Sequence, residues 1–281
     1  MKKLIAAFAA VFLVSAVVQA QTRIPLGTGA IASGTRAIAI GAGSRSTGDY
    51  ATSMGSVARA TVIEGIAIGR AASAVGGTAA IAVGSSSRAG AESALAIGRV
   101  ANANARGALA FGSEANATAI QAIAMGYKAA GSAINALSIG VQSSASGMNS
   151  VAVGAHANAT GTDASAFGRG AHADAGSATA IGSGSYATGG AGGQGATAIG
   201  RETNAIGEAA IAIGYKAGAR NNAFAAGQSA FANARGAIAL GWHARSVGVS
   251  SIAVGVDSRA AEYRGIGIGF QANSVGNSTI A

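Results

Sequence analysis

Three histidines, ten carboxylates and fifteen arginines are the groups in this chain that could do chemistry. Their spacing decides which chemistry is open to them. His156 and His172 fall on neighbouring repeats, two and four residues past a glycine, and His243 stands apart. A histidine pair can hold a metal, but no carboxylate lies in a matching register to complete a ligand set around His156 and His172. No metal site is expected. The carboxylates are scattered singly, which leaves no pair for general acid–base work. Gly182-Ser183-Gly184-Ser185 is glycine-rich composition, and no serine stands in a convincing nucleophile context. No catalytic residue and no cofactor site is expected, and the chain reads as a non-enzyme. The arginines differ because they recur in register. Four residues past a repeated glycine stand Arg45, Arg59, Arg88, Arg245 and Arg259, and in the same register Asn102, Asn116, Asn158, Asn204 and Asn273. Arginine outnumbers lysine fifteen to four, which favours planar contacts with carboxylate, sulfate or phosphate. The five arginines are the candidate ligand-binding residues of a basic, amide-rich stripe. The competing account is that a solenoid needs polar groups on its wet face and that duplication repeats them. Tyr127-Lys128 and Tyr215-Lys216 occupy matching positions of two repeats, which duplication explains as well as binding does.

The elements that must carry this stripe are announced by glycine. After Gly27, repeat glycines stand at Gly41, Gly55, Gly69, Gly84, Gly98, Gly112, Gly126, Gly140, Gly154, Gly168, Gly182, Gly200, Gly214, Gly227, Gly241, Gly255 and Gly269, almost all fourteen residues apart. A fixed period over so much of a chain predicts a solenoid in which each repeat is one turn. Between Gly98 and Gly112 two period-two segments appear. Ala101-Asn102-Ala103-Asn104-Ala105 is alanine on one face and polar on the other; Ala108-Leu109-Ala110-Phe111 is apolar on both. The expected fold is therefore all-β, a parallel roll with fourteen-residue turns and glycine at the corners. The large aliphatics are expected to face the interior against small alanines, as packing of large against small suggests. The outward alanine face, Ala110 included, then needs a cover, and another subunit is the natural one. Three intervals depart from fourteen: Gly69 to Gly84 is fifteen, Gly182 to Gly200 eighteen, and Gly214 to Gly227 thirteen. The longest encloses the glycine-rich 189–195 stretch, expected to be a surface loop at a corner.

Composition narrows the setting. Lys2 and Lys3, the apolar run 4–14 and the small residues before Gln21 read as a secretory signal peptide over residues 1–20, with head repeats over 21–281. There is no cysteine, hence no disulfide framework and no thiolate metal site. Net charge is +9, and removing Lys2 and Lys3 leaves +7. For an exported chain this points to anionic glycans, acidic protein surfaces or lipopolysaccharide as partners, with no role for nucleic acid or for membrane insertion by this chain. The sequence stops at Ser278-Thr279-Ile280-Ala281, part-way into the next apolar strand, and so reads as cut within a repeat.

Asn149-Ser150-Val151-Ala152-Val153-Gly154, Ser251-Ile252-Ala253-Val254-Gly255 and Ala210-Ile211-Ala212-Ile213-Gly214 resemble the Asn-Ser-Val-Ala-Ile-Gly signature of trimeric autotransporter adhesin heads, the YadA-like family. The similarity covers about residues 24–281. It implies a left-handed parallel β-roll, a homotrimer, and attachment to host matrix protein or cells with self-association. The family's neck, coiled-coil stalk and membrane anchor are not seen in this sequence. The resemblance places a complete member at the cell surface and outer membrane; this chain alone would be secreted or periplasmic. The alternatives are a β-solenoid enzyme, which needs clustered acids or histidines, and a structural or ice-binding secreted solenoid, which needs regular Thr ranks.

Overall fold

A computed structural model describes residues 23–189 and 195–281. The expected leader and the middle of the glycine-rich insertion lie outside the described residues. The chain divides between Asn104 and Ala105 into two compact units, and the described residues of each form a parallel β-solenoid. In the first unit the strands Ile24–Leu26, Ile38–Ile40, Thr52–Met54, Ile66–Ile68, Ile81–Val83 and Leu95–Ile97 stack in parallel as one sheet. The two-residue strands Ile31–Ala32, Arg45–Ser46, Arg59–Ala60, Ser73–Ala74, Arg88–Ala89 and Asn102–Ala103 form the other. By their outward residues these are the apolar sheet and the polar sheet. The second unit repeats the arrangement, with its apolar sheet running from Leu109–Phe111 to Ile266–Ile268 and its polar sheet from Asn116–Ala117 to Asn273–Ser274.

Register follows the period. Ile38 pairs with Thr52 and Arg45 with Arg59, each fourteen residues on. The irregular intervals leave this pairing intact. Ile66 pairs with Ile81 and Ser73 with Arg88 across the fifteen-residue turn; Thr179 pairs with Thr197 and Tyr186 with Asn204 across the eighteen-residue turn. Phe224 follows Ile211, and Phe231 follows Gly218, across the thirteen-residue turn. All three length changes fall at the same corner, where the polar strand returns to the apolar one. A one-residue slip within a strand would swap its two faces, so the corner absorbs the change.

The corners belong to the ladder. Ser44 N–H donates to Gly41 O at 3.1 Å, closing a β-turn in which Gly43 has φ +65°. Positive φ at the third turn residue is the type II pattern, which glycine adopts without strain. Most turns put a side chain there: Val57 at φ +52°, Glu114 at +60°, Lys128 at +55° and His156 at +58°. The opposite corner does the same with Arg36, Tyr50, Asn135 and Asp163. The N–H of these residues explains the cost. Val57 donates to Ala42 O at 2.9 Å and Tyr50 to Thr35 O at 2.7 Å on the turn before. The left-handed conformation aims the amide along the solenoid axis, and the inter-turn bond holds it there.

The interior overturns one expectation. Every buried hydrophobic residue among the described residues is an alanine, and the largest fully buried side chain is Thr203. In the apolar strands after Ile24–Leu26 the middle residue points inward: Ala39, Ala67 and Ala166 are 0 % exposed and Ala110 1 %. Ile38, Ile40, Leu109 and Phe111 face outward. The large aliphatics thus line the outside and the alanines the core, the reverse of the large-against-small interior. Each turn contributes four inward positions, such as Ala37, Ala39, Ser44 and Ser46. Two sheets closed by four-residue turns lie too near each other for anything longer than alanine, serine or threonine. Several core serines meet a backbone acceptor. Ser44, Ser87, Ser143, Ser185 and Ser258 each donate to the carbonyl of the repeat glycine three residues back, at 2.9 to 3.0 Å.

Candidate binding surface

Each candidate arginine lies on the outer face of its own unit's polar sheet, because the first residue of each two-residue strand points out and the second points in. Arg45 and Arg59 are Cα partners on adjacent strands of the first unit, and both are exposed. Ser73 separates them from Arg88, which pairs with Asn102 and donates to Asn104 Oδ1 at 3.4 Å. In the second unit Arg245 and Arg259 are Cα partners, and Arg245 follows Phe231. Asn116 and Asn158 begin polar strands of that unit and are partly exposed; Asn204 and Asn273 are exposed. The stripe is therefore two separate arginine pairs with amides elsewhere. Each pair lines a shallow cleft. Gly43, Val57, Ala71 and Ser73 surround Arg45 and Arg59 in about 470 Å³; Ser229, Phe231, His243, Asp257 and Ser258 surround Arg245 and Arg259 in about 580 Å³.

His156 and His243 sit at equivalent corners, each two residues past a repeat glycine and with positive φ. His172 is on the polar sheet, where its ring stacks on Tyr186 with centroids 4.7 Å apart and planes 5° from parallel. His243 stacks on Trp242 at 3.9 Å and meets Asp257 of the next turn, Nδ1 to Oδ1 3.5 Å. Among the described residues no group of three or more His, Cys, Asp or Glu is placed to hold a metal ion.

Counting two residues past each repeat glycine locates a charged column that the sequence analysis missed. Glu114 meets Lys128 at 3.7 Å, Glu202 meets Lys216 at 3.6 Å, and His243 meets Asp257, each pair one turn apart. Lys128 Nζ lies 5.2 Å from the Tyr127 ring centre and Lys216 Nζ the same from Tyr215, with Arg201 over Tyr215 at 4.5 Å. The neighbouring tyrosine first, and then the glutamate, hold both lysines above their ordinary pKa. The opposite corner carries a polar ladder: Asn135 Nδ2 donates to Asn149 Oδ1 at 2.9 Å, and Asn149 Nδ2 to Asp163 Oδ1 at 3.0 Å. Earlier in the chain Thr35 N–H donates to Asp49 Oδ1 at 2.7 Å, which lowers the Asp49 pKa.

The family model for the YadA head domain repeat (2 copies) matches residues 26–44, 76–101, 103–129, 132–157, 159–185, 191–217 and 221–244. The chain belongs to the YadA head family. The unmatched stretch 45–75 keeps the same pairing, Arg45 to Arg59 and Thr52 to Ile66. Comparison with curated proteins returned no match. YadA heads are adhesin-type, non-enzymatic domains of exported, surface-displayed proteins.

Proposed function

We propose that this chain is the head of a surface adhesin, exported by its 1–20 leader, which works as a homotrimer and attaches to host matrix or cells and to other copies of itself. The observation that carries this reading is the contrast between the two outer faces. The apolar sheet presents pairs such as Leu109 and Phe111, Ile123 and Met125, and Leu137 and Ile139, all at least partly exposed in the single chain. Phe111 is 52 % exposed and Met125 41 %. A long apolar strip of this kind marks an interaction surface, and identical chains supply identical strips. Three copies joined there leave the polar sheets outward, and weak contacts to a repetitive matrix gain through multivalency. The arginine pairs Arg45 and Arg59, and Arg245 and Arg259, with Arg88, are the proposed contacts to host anions.

The test is sedimentation of the mature protein beside a Leu137→Glu/Ile252→Glu variant, followed by attachment of beads coated with each to immobilised matrix proteins and cells. The wild type is expected to sediment as a trimer and attach, and the variant to fall to monomer with weaker attachment. A stable wild-type monomer, or attachment by the monomeric variant equal to the trimer, would overturn the reading.

A further inference from the structure

We propose that the cleft of Phe231, Arg245 and Arg259 binds an acidic glycan, with a sugar ring against Phe231 and its sulfate or carboxylate between the two guanidiniums. This rests on the reading of the polar sheet as the binding face and names the ligand class of one place on it. Arg245 and Arg259 are exposed Cα partners on adjacent strands. Among the described residues no ion pair neutralises either one. Like charges directly opposite each other on a sheet repel, and a bound anion turns that repulsion into two charge-assisted, planar contacts.

Phe231 makes the cleft more than a basic patch. It precedes Arg245 in the stack, with the Arg245 guanidinium 5.8 Å from its ring centre. On its other side lies Gly218, where a Cβ would come within 2.9 Å of Phe231 Cδ2. The ring therefore leans on bare backbone and is half-buried before any ligand arrives. An aromatic face is electronegative and attracts the C–H face of a sugar. Asp257, whose Oδ1 lies 3.5 Å from His243 Nδ1, puts a carboxylate that can accept from a sugar hydroxyl on the cleft wall. A carboxylate there disfavours an all-phosphate polymer and suits a hydroxyl-rich one. The Arg45 and Arg59 cleft offers the same two charges with Val57, Ala71 and Ser73 and neither ring nor carboxylate, so it serves as an internal control.

Trp242, the single tryptophan, stacks on His243 of the cleft wall and reports occupancy. The experiment titrates the full chain with a heparin tetrasaccharide, its desulfated form and polyphosphate, following Trp242 emission and heat. The tetrasaccharide in at least one form is expected to shift the emission. Arg245→Gln/Arg259→Gln should weaken it by about tenfold or more. Phe231→Ala should weaken it by about threefold while leaving polyphosphate unaffected, and Phe231→Tyr should restore it. Arg45→Gln/Arg59→Gln should change the Trp242-reported affinity by less than about twofold, as a site without the ring predicts. Equal losses from both arginine pairs, no effect of Phe231→Ala, or a silent Trp242 at saturation would overturn the proposal and leave charge alone as the cause. Such a failure with trimer and attachment intact spares the adhesin reading; loss of trimer and attachment in the wild type would strike that reading instead.

Discussion

At the scale of single residues, two kinds of corner glycine carry different constraints. Gly168 has φ +132°, and a Cβ there would sit 2.6 Å from the Gly182 carbonyl oxygen one turn on. Gly170, two residues later, has φ +63° with nothing within 4 Å of a Cβ. The first conformation is nearly closed to side chains and the space is taken; the second is the left-handed well that Glu114 and Lys128 already occupy elsewhere. Gly168→Ala is expected to cost on the order of 3 kcal/mol and Gly170→Ala about 1 kcal/mol, read as a large and a small fall in melting temperature. Comparable falls would mean that crowding between turns is not what selects glycine. Asp49 supplies a second residue-scale test. Thr35 N–H donates to its carboxylate, so the folded chain holds Asp49 below its ordinary pKa of 3.8. The unfolded chain then binds the proton more readily, and stability rises with pH through that interval. This contribution is present above the unfolded pKa and lost as pH falls through the lowered one. Melts of the wild type and Asp49→Asn between pH 6 and about 2 should show the steeper acid loss in the wild type, and parallel curves would remove Asp49 from the account.

At the scale of strands and turns, much was legible because the glycine period sets the register and the Ala-Asn alternation sets the polar sheet's faces. Ala101 and Ala103 are buried as that alternation requires. The apolar strand was not legible in the same way. Leu109-Ala110-Phe111 is apolar on both faces, so alternation alone cannot say which face turns inward; the space left by a fourteen-residue turn decides, and only alanine fits. Nor do valine, glutamate and lysine advertise left-handed corners, since the inter-turn amide bond imposes that conformation on any residue placed there. The Glu114–Lys128 and Glu202–Lys216 pairs stand two residues past their repeat glycines, so the same period that aligns the arginines aligns them. The narrow core predicts that enlarging an inward alanine is worse than charging an outward aliphatic. Ala166→Leu should cost about 3 kcal/mol or more by overpacking and broaden the melt, whereas Leu137→Glu should leave the melting of a single chain little changed. If Ala166→Leu folds as well as the wild type, the sheets have room that an alanine core denies.

At the scale of the whole molecule, the two outer faces that each unit presents call on different forces, and salt separates them. Burying a large aliphatic side chain contributes about 1.5–3 kcal/mol, and those on the apolar sheet are already partly covered within the chain. Association costs about 4–15 kcal/mol before any contact is counted. A few turns would therefore break even, and the many turns of apolar strand in this chain carry assembly past that cost. Such an interface holds few charges, so ions have little to screen, and strongly hydrated salts reinforce it. The polar sheet works the other way. Arg45, Arg59, Arg245 and Arg259 are exposed, and attraction between exposed charges weakens as the screening length falls from about 10 Å at 0.1 M to about 3 Å at 1 M. One salt series on one sample, with sedimentation and heparin-column retention measured side by side, should then diverge. The trimer is expected to persist across the series while retention falls steeply. Dissociation of the trimer at the salt concentration that releases heparin would place charge at the subunit interface. The apolar sheet would then lose its role as the joining face, and the polar sheet would be what the copies share.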